Sequence, residues 1–168
     1  MNHQHRVLIV DDDKDVIVLL RHHLSNAGYE VIHALGGLEG LAMAIDEAPD
    51  IVVSDILMPE FDGFGVLAAL RANAPTCAMP IVFLTIVEDM ESKARARRLG
   101  VDAYLNKPVQ RELLLQTVAA SLRRSQEPRS TVAACEVDSR EEMAAGDTLL
   151  ARDFATLYLA RRLPLPGS

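Results

Sequence analysis

Three carboxylates, a hydroxyl and an ammonium stand where short apolar runs of this sequence end: Asp11 and Asp12 after "RVLIV", Asp55 after "IVVS", Thr85 after "IVFL", and Lys107 after "AYLN". Aspartate is disfavoured inside strands and seldom buried without a partner, so acids at these positions need a reason. Carboxylates a few ångströms apart repel, and one takes up a proton unless a cation intervenes. Hard oxygen ligands with few protein donors suit Mg2+, which keeps several waters and commonly bridges carboxylates to phosphate. Such an ion also weakens the repulsion between a carboxylate nucleophile and an anionic phosphoryl donor. Lys107 offers a transferred group a charge-assisted contact and Thr85 a hydrogen bond. Together these residues suit a site that carries a phosphoryl group on a carboxylate, formed by nucleophilic attack.

Chemistry of this kind requires elements that bring distant residues to one place. Strand-like runs occur at 6–11, 29–34, 50–55, 80–85 and 102–106. The first, third and fourth are apolar without alternation, as expected of parallel strands covered on both faces. Helical spacing lies between them: Ile17, Leu20 and Leu24 before Gly28; Leu38, Leu41, Ala42 and Ile45 before Pro49; and Phe64, Leu67 and Leu70. Residues 90–99, closed by Gly100, and 110–124 complete five helices alternating with five strands. The expected fold class is α/β, an open five-stranded parallel sheet with helices on both faces. Ligands of such sheets bind outside the carboxyl ends of the strands, where the five residues would meet.

Four stretches carry a family resemblance: "VLIVDDDKDV" (7–16), "PDIVVSDILMPEFDGF" (49–64), "PIVFLT" (80–85) and "GVDAYLNKPV" (100–109). In order and spacing, residues 5–124 resemble the receiver domain of two-component response regulators, of which the chemotaxis regulator is the familiar single-domain example. The resemblance implies a flavodoxin-like (βα)5 fold with strand order 2-1-3-4-5. It implies Asp55 as phosphoacceptor, Asp11 and Asp12 as the acidic pair holding Mg2+, and the backbone carbonyl of Leu57 as a further metal ligand. Lys107 would pair with the phosphoryl group, ahead of a cis bond to Pro108. Thr85 and Tyr104 match the switch pair, the aromatic ring rotating inward as the hydroxyl moves to the phosphate; an ordinary partly buried tyrosine is the other reading. The implied partner is a histidine kinase or a histidine phosphotransfer protein, and the implied protein signals through its own phosphorylation rather than turning over a substrate.

This sequence departs from the family pattern beside Thr85, where Ile86 replaces a small residue. Leu57 and Val87 occupy the positions that tune dephosphorylation in the family, and neither apolar side chain can orient an attacking water. A long-lived phosphorylated form is the expectation. Two other functions use similar residues. A phosphatase of the haloacid-dehalogenase type would use Asp11, Asp13, Thr85 and Lys107, but needs another acidic pair on a strand beyond the lysine and leaves Asp55 unexplained. A receiver kept only as a binding scaffold would not need the full set of five.

Several other residues have plainer readings. Asp13 is expected to cap the first helix, and Asp62-Gly63 to form a turn. His22 and His23 belong on or beside the solvent face of the first helix, and His3 and His5 on a frayed terminus rather than a metal. The run Lys93, Arg95, Arg97, Arg98 reads as a solvated helix face. The formal net charge is −7, shared as −5 by residues 1–124 and −2 by residues 125–168. Neither part has the basic excess of a sequence-independent nucleic-acid binder, so direct DNA binding is not expected. Cys77 and Cys135 match no metal spacing and are expected to be free thiols. With no leader-like or membrane-spanning run, a cytoplasmic protein with no membrane contact is expected. Residues 125–138 read as a linker and 139–163 as a helical extension or the start of a truncated output region. Homodimerisation is expected through that helix or through the surface of the fourth helix, fifth strand and fifth helix.

Overall fold

The computed structural model describes residues 3–86 and 88–127. Five strands, β1 (Arg6–Val10), β2 (Glu30–Ala34), β3 (Ile51–Asp55), β4 (Ile81–Thr85) and β5 (Ala103–Asn106), form one sheet in the order β2-β1-β3-β4-β5. Every pairing is parallel, with Val7 opposite both Val31 and Ile51, Val52 opposite Ile81, and Val82 opposite Ala103. The helices are α1 (Lys14–Asn26), α2 (Gly37–Glu47), α3 (Gly63–Ala72), α4 (Met90–Arg98) and α5 (Arg111–Gln126). Strand order and element order both match the sequence expectation.

The apolar strands are explained by two cores. Val7 and Ile9, Ile51 and Val53, and Val82 and Leu84 face one side, where Ile17, Leu20 and Leu24 of α1 and Leu114, Val118 and Leu122 of α5 cover them. Leu8, Val10, Val52, Ile81 and Phe83 face the other, against Leu41 of α2 and Phe64, Leu67 and Leu70 of α3. Successive residues therefore bury on opposite faces, and beyond Arg6 at the start of β1 the polar positions of the central strands, Ser54, Asp55 and Thr85, lie at the carboxyl ends. The edge strands β2 and β5 are only partly buried, which is why their sequences carry Glu30, His33 and Asn106.

The stripe expected on α2 is rotated in the structure. Its buried residues are Gly37, Gly40, Leu41 and Ala44, while Leu38 is exposed and Ala42 and Ile45 are half-buried. A methyl group on Gly40 would sit 2.6 Å from the Val10 side chain, so the helix packs this closely to β1 only with glycine there. Helix entries are fixed by carboxylates: Asp13 accepts from the Asp15 amide, Asp62 from Gly65 and Asp89 from Ser92. The cap role of Asp13 is as expected; Asp62 is a cap as well as a turn residue.

Two expectations need correction. Helix α5 runs through Ser125 and Gln126 into the segment read as a linker, with the Ser125 hydroxyl donating to the Leu122 carbonyl at 2.7 Å. Cys77 is disulfide-bonded rather than a free thiol. The rest of that linker, the helical extension at 139–163, Cys135 and Val87 lie outside the described residues.

Candidate functional site

The carboxyl ends of β1, β3, β4 and β5 form one edge of the sheet, and the site is built from the residues at and just beyond those ends. At β1, the Asp11 amide donates to Ala34 O at 3.2 Å, continuing the ladder by one residue and holding Asp11 down against the sheet. Its side chain is fully buried, and Oδ1 accepts from the Asp13 amide at 2.9 Å, which turns the chain into α1. Asp12 is exposed at the same turn. At β3, the Ile56 amide donates to Leu84 O at 3.2 Å and the Gly63 amide to Ile56 O at 2.8 Å, folding the loop back to the strand end. A Cβ on Gly63 would strike the Asp55 carbonyl and lie 2.8 Å from Ile56 Cα. Only glycine allows α3 to begin directly beneath Asp55.

Lys107 links these ends. Its backbone amide donates to Thr85 O at 2.8 Å, and its peptide bond to Pro108 is cis, as the resemblance implied. Its ammonium donates to Asp11 Oδ2 at 2.8 Å and to Asp55 Oδ2 at 3.1 Å. Asp55 is 7% exposed, and its other oxygen accepts from the Leu57 amide at 3.3 Å. Oxygens of Asp11, Asp12 and Asp55 lie within 4.8 Å of one another. Burial raises the pKa of Asp55; Lys107 opposes the rise and the charge of Asp11 adds to it. Burial would lower the pKa of Lys107, but its bonds to Asp11 and Asp55 outweigh that and raise it.

The donor set fits a hard divalent cation: three clustered carboxylates, two of them buried, with one ammonium to offset them. Thr85 is fully buried at the end of β4. Tyr104, on β5, packs edge-to-face on Phe83 with ring centroids 6.1 Å apart, and Phe83 packs on Phe64 in the same way at 5.5 Å. The Tyr104 hydroxyl is buried, with the Thr85 hydroxyl beside it. Burial raises its pKa, the charge of Asp89 adds to the rise, and the nearby Thr85 hydroxyl tempers it. The ring is thus directed inward, against Phe83.

The structure therefore brings together Asp11, Asp12, Asp55 and Lys107, places Thr85 on the adjoining strand, and sets Tyr104 behind it. Leu57 and Ile86 do not close over the site, being 52% and 70% exposed. Sequence reading missed Arg71. Its guanidinium, 10% exposed, donates to Met79 O at 2.7 Å and Gly100 O at 2.8 Å and pairs with Asp102 at 3.2 Å. Asp102 also accepts from the Ile81 amide at 2.9 Å, so this pair aligns the starts of β4 and β5 and hence Thr85 and Lys107 at their ends. A lone arginine at the end of a helix gives no sequence signal of that kind. The dehalogenase-type reading needs a strand beyond Lys107, and among the described residues the sheet ends at β5. No helix of the described residues is long and apolar enough to cross a membrane.

Residues 7–119 match the family model described as the response regulator receiver domain. The chain is 38% identical over 120 residues to the DNA-binding dual master transcriptional regulator RpaA of Synechocystis, covering 71% of this chain but 50% of that protein. It is also 38% identical over 117 residues to the protein PilH of Pseudomonas aeruginosa, covering 70% of this chain and 97% of PilH. Among solved structures, the Vibrio cholerae chemotaxis protein CheY4 superimposes with a TM-score of 0.68 at 34% identity, over 71% of this chain and 99% of CheY4. The chain thus spans about half of one of these relatives and nearly all of two.

Proposed function

The chain belongs to the response regulator receiver family, and on that footing we propose that Asp55 takes a phosphoryl group from a phosphohistidine of a partner kinase or histidine phosphotransfer protein. Receiver domains are signalling domains of two-component systems, not turnover enzymes. What carries the assignment is the end of β3, where the Asp55 carboxylate lies 3.1 Å from the Lys107 ammonium and within 4.8 Å of Asp11 and Asp12 oxygens.

An oxygen of Asp55 attacks phosphorus, the P–N bond to the donor imidazole breaks, and the ring nitrogen leaves with the bonding pair and takes up a proton. Asp11, Asp12, Asp55 and the Leu57 carbonyl would hold Mg2+, which would supply charge neutralisation for this transfer. Lys107 exchanges its bond to Asp55 for one to a phosphoryl oxygen, which needs little movement because the two already touch. The Thr85 hydroxyl donates to another phosphoryl oxygen. Tyr104 follows Thr85, so phosphorylation shifts the population of ring positions on the β5 face.

That face carries the output in this reading. A groove of about 600 Å3, lined by Lys93, Arg97, Tyr104, Asn106 and Leu113 among others, runs between α4, β5 and α5. We assign it the homodimer contact, with residues 139–163 as the other candidate. The acidic balance of residues 1–124 speaks against direct DNA contact by the receiver; regulation of transcription, as by RpaA, would need chain beyond it. The site of action is the cytoplasm, with the kinase domain that donates the group.

The phosphorylated form is long-lived in this reading, because the side chains of Leu57, Ile86 and Val87 have no polar atom to orient water. Incubation with Mg2+ and a small acyl-phosphate donor should add one phosphoryl mass to the protein, and Asp55→Asn should abolish it. Uptake that persists in Asp55→Asn, or a steady release of phosphate that depends on Asp11 and not Asp55, would refute the assignment.

A further inference from the structure

The opposite edge of the sheet holds a second cluster, formed by His3, His5 and Asp50. His3 and His5 are two residues apart just before β1, so extended chain puts both imidazoles on one side; their rings meet edge-to-face with centroids 5.8 Å apart. Asp50 immediately precedes β3, the strand that pairs with β1. His3 Nε2 and His5 Nδ1 are each 3.6 Å from the same carboxylate oxygen, Asp50 Oδ2. The three ligand atoms all lie within 4.8 Å of one another.

This is not the frayed terminus that the sequence suggested. The His5 carbonyl accepts from the Glu30 amide at 3.0 Å, and the Asp50 amide donates to Arg6 O at 2.9 Å. Asp50 Oδ2 accepts in turn from the Arg6 amide at 2.7 Å. Two of the three ligand-bearing residues are therefore fixed to neighbouring strands, and the carboxylate is oriented by a backbone donor, as bound carboxylates commonly are.

Three further observations point to a cation. His5 Nδ1 is buried and, among the described residues, has no hydrogen-bond partner, an orphan atom aimed at Asp50. A separation of 3.6 Å exceeds the usual length of a charge-assisted hydrogen bond, about 2.7–2.9 Å. It is close to the edge of a coordination tetrahedron, roughly 3.4 Å for ligands about 2.0–2.1 Å from Zn2+. The surroundings are also acidic: Glu30 and Glu47 lie within 2.9 Å and 3.3 Å of Arg6, so the Arg6 guanidinium is already engaged.

The geometry points to a divalent transition-metal site of two imidazoles and one carboxylate, suited to Zn2+, with a fourth position open to water. Nitrogen donors separate it from the all-oxygen cluster at the other edge, which favours Mg2+. The five residues of β1 between them span about 17 Å, so the two sites can fill independently. Metal there would join the segment before β1 to the start of β3, and because the ligands converge only in the folded chain, binding would stabilise the fold.

The test uses the untagged full chain in saturating Mg2+, titrated with Zn2+ against a chromophoric chelator. One equivalent of Zn2+ should bind, and His3→Ala and His5→Ala should each weaken it by at least about tenfold, the lower end of what losing even an outer partner costs. His22→Ala, on α1, should leave binding unchanged. Zn2+ should raise the thermal midpoint of the natural protein and not that of the double histidine variant. His3 is 77% exposed, so its substitution does not threaten folding. No uptake above the Mg2+ background, or uptake that survives both histidine substitutions, overturns the site.

Discussion

Lys107→Ala separates what the ammonium does for the fold from what it does for a phosphoryl group. It donates to buried Asp11 at 2.8 Å and to nearly buried Asp55 at 3.1 Å, so truncation leaves two close carboxylates uncompensated. Breaking a buried pair from one side costs about 3–5 kcal/mol. Lys107 keeps some solvent contact and Asp55 can escape by taking up a proton, so a loss of about 2–3 kcal/mol at neutral pH is expected without metal. In urea, with a slope of about 1–3 kcal/mol per molar, the midpoint should fall by roughly 0.7–3 M. The deficit has a direction in pH. Burial already holds the Asp55 pKa above its ordinary value, and loss of Lys107 raises it further. The folded variant then binds a proton more readily than the natural protein, so the gap should narrow as pH falls through that raised value. Mg2+ should narrow it too, because the cation replaces the missing charge. Urea unfolding in chelator, in Mg2+ and across acid pH measures all three. A deficit below about 0.5 kcal/mol in chelator, the range of an indifferent surface change, would refute the compensating role of the ammonium. So would one that neither acid nor Mg2+ alters.

Gly63→Ala places a methyl against the Asp55 carbonyl; it should cost about 1–3 kcal/mol and lower phosphate uptake from an acyl-phosphate donor, both readable on one preparation. Asp89 caps α4, and the hydrogen bonds from Ser92 hold its pKa below the ordinary 3.8. Its contribution is complete above that value and is lost as pH falls through the depressed one, so the Ser92 amide resonance should titrate there and stay fixed in Asp89→Asn.

The parts of the fold legible in the sequence are those that large apolar side chains dictate. β1, β3 and β4 read as unbroken apolar runs because both faces of each are covered. α1 read correctly because Ile17, Leu20 and Leu24 do the burying. α2 did not, because its inner face is Gly37, Gly40 and Ala44 with a single leucine, and closeness to β1 rather than side-chain bulk buries it. Periodicity weighted by hydrophobic size cannot register a residue chosen for what it lacks. Gly63 belongs with these: sequence marks it as a turn, while the structure gives it the more exacting task of clearing space for the Asp55 carbonyl.

The same division runs through the candidate site. Asp11, Asp55, Thr85 and Lys107 were legible because a polar residue closing an apolar run is seldom there for packing, and the sheet then brings them to one edge. Exposure was not legible, and it decides how the flanking apolar positions can act. Ile86 stands where the family has a small residue, yet it is 70% exposed, and Leu57 is 52% exposed. Neither forms a lid, so a long-lived phosphorylated state cannot rest on excluding water. It must rest on the absence of a polar atom to hold water in line with the bond. The two causes respond differently to substitution: Ile86→Ala, which opens space but adds no polar group, should leave the lifetime nearly unchanged, whereas Leu57→Asn should shorten it. If Ile86→Ala alone shortened it, as followed by loss of the phosphoryl mass increment with time, steric exclusion would be restored as the cause.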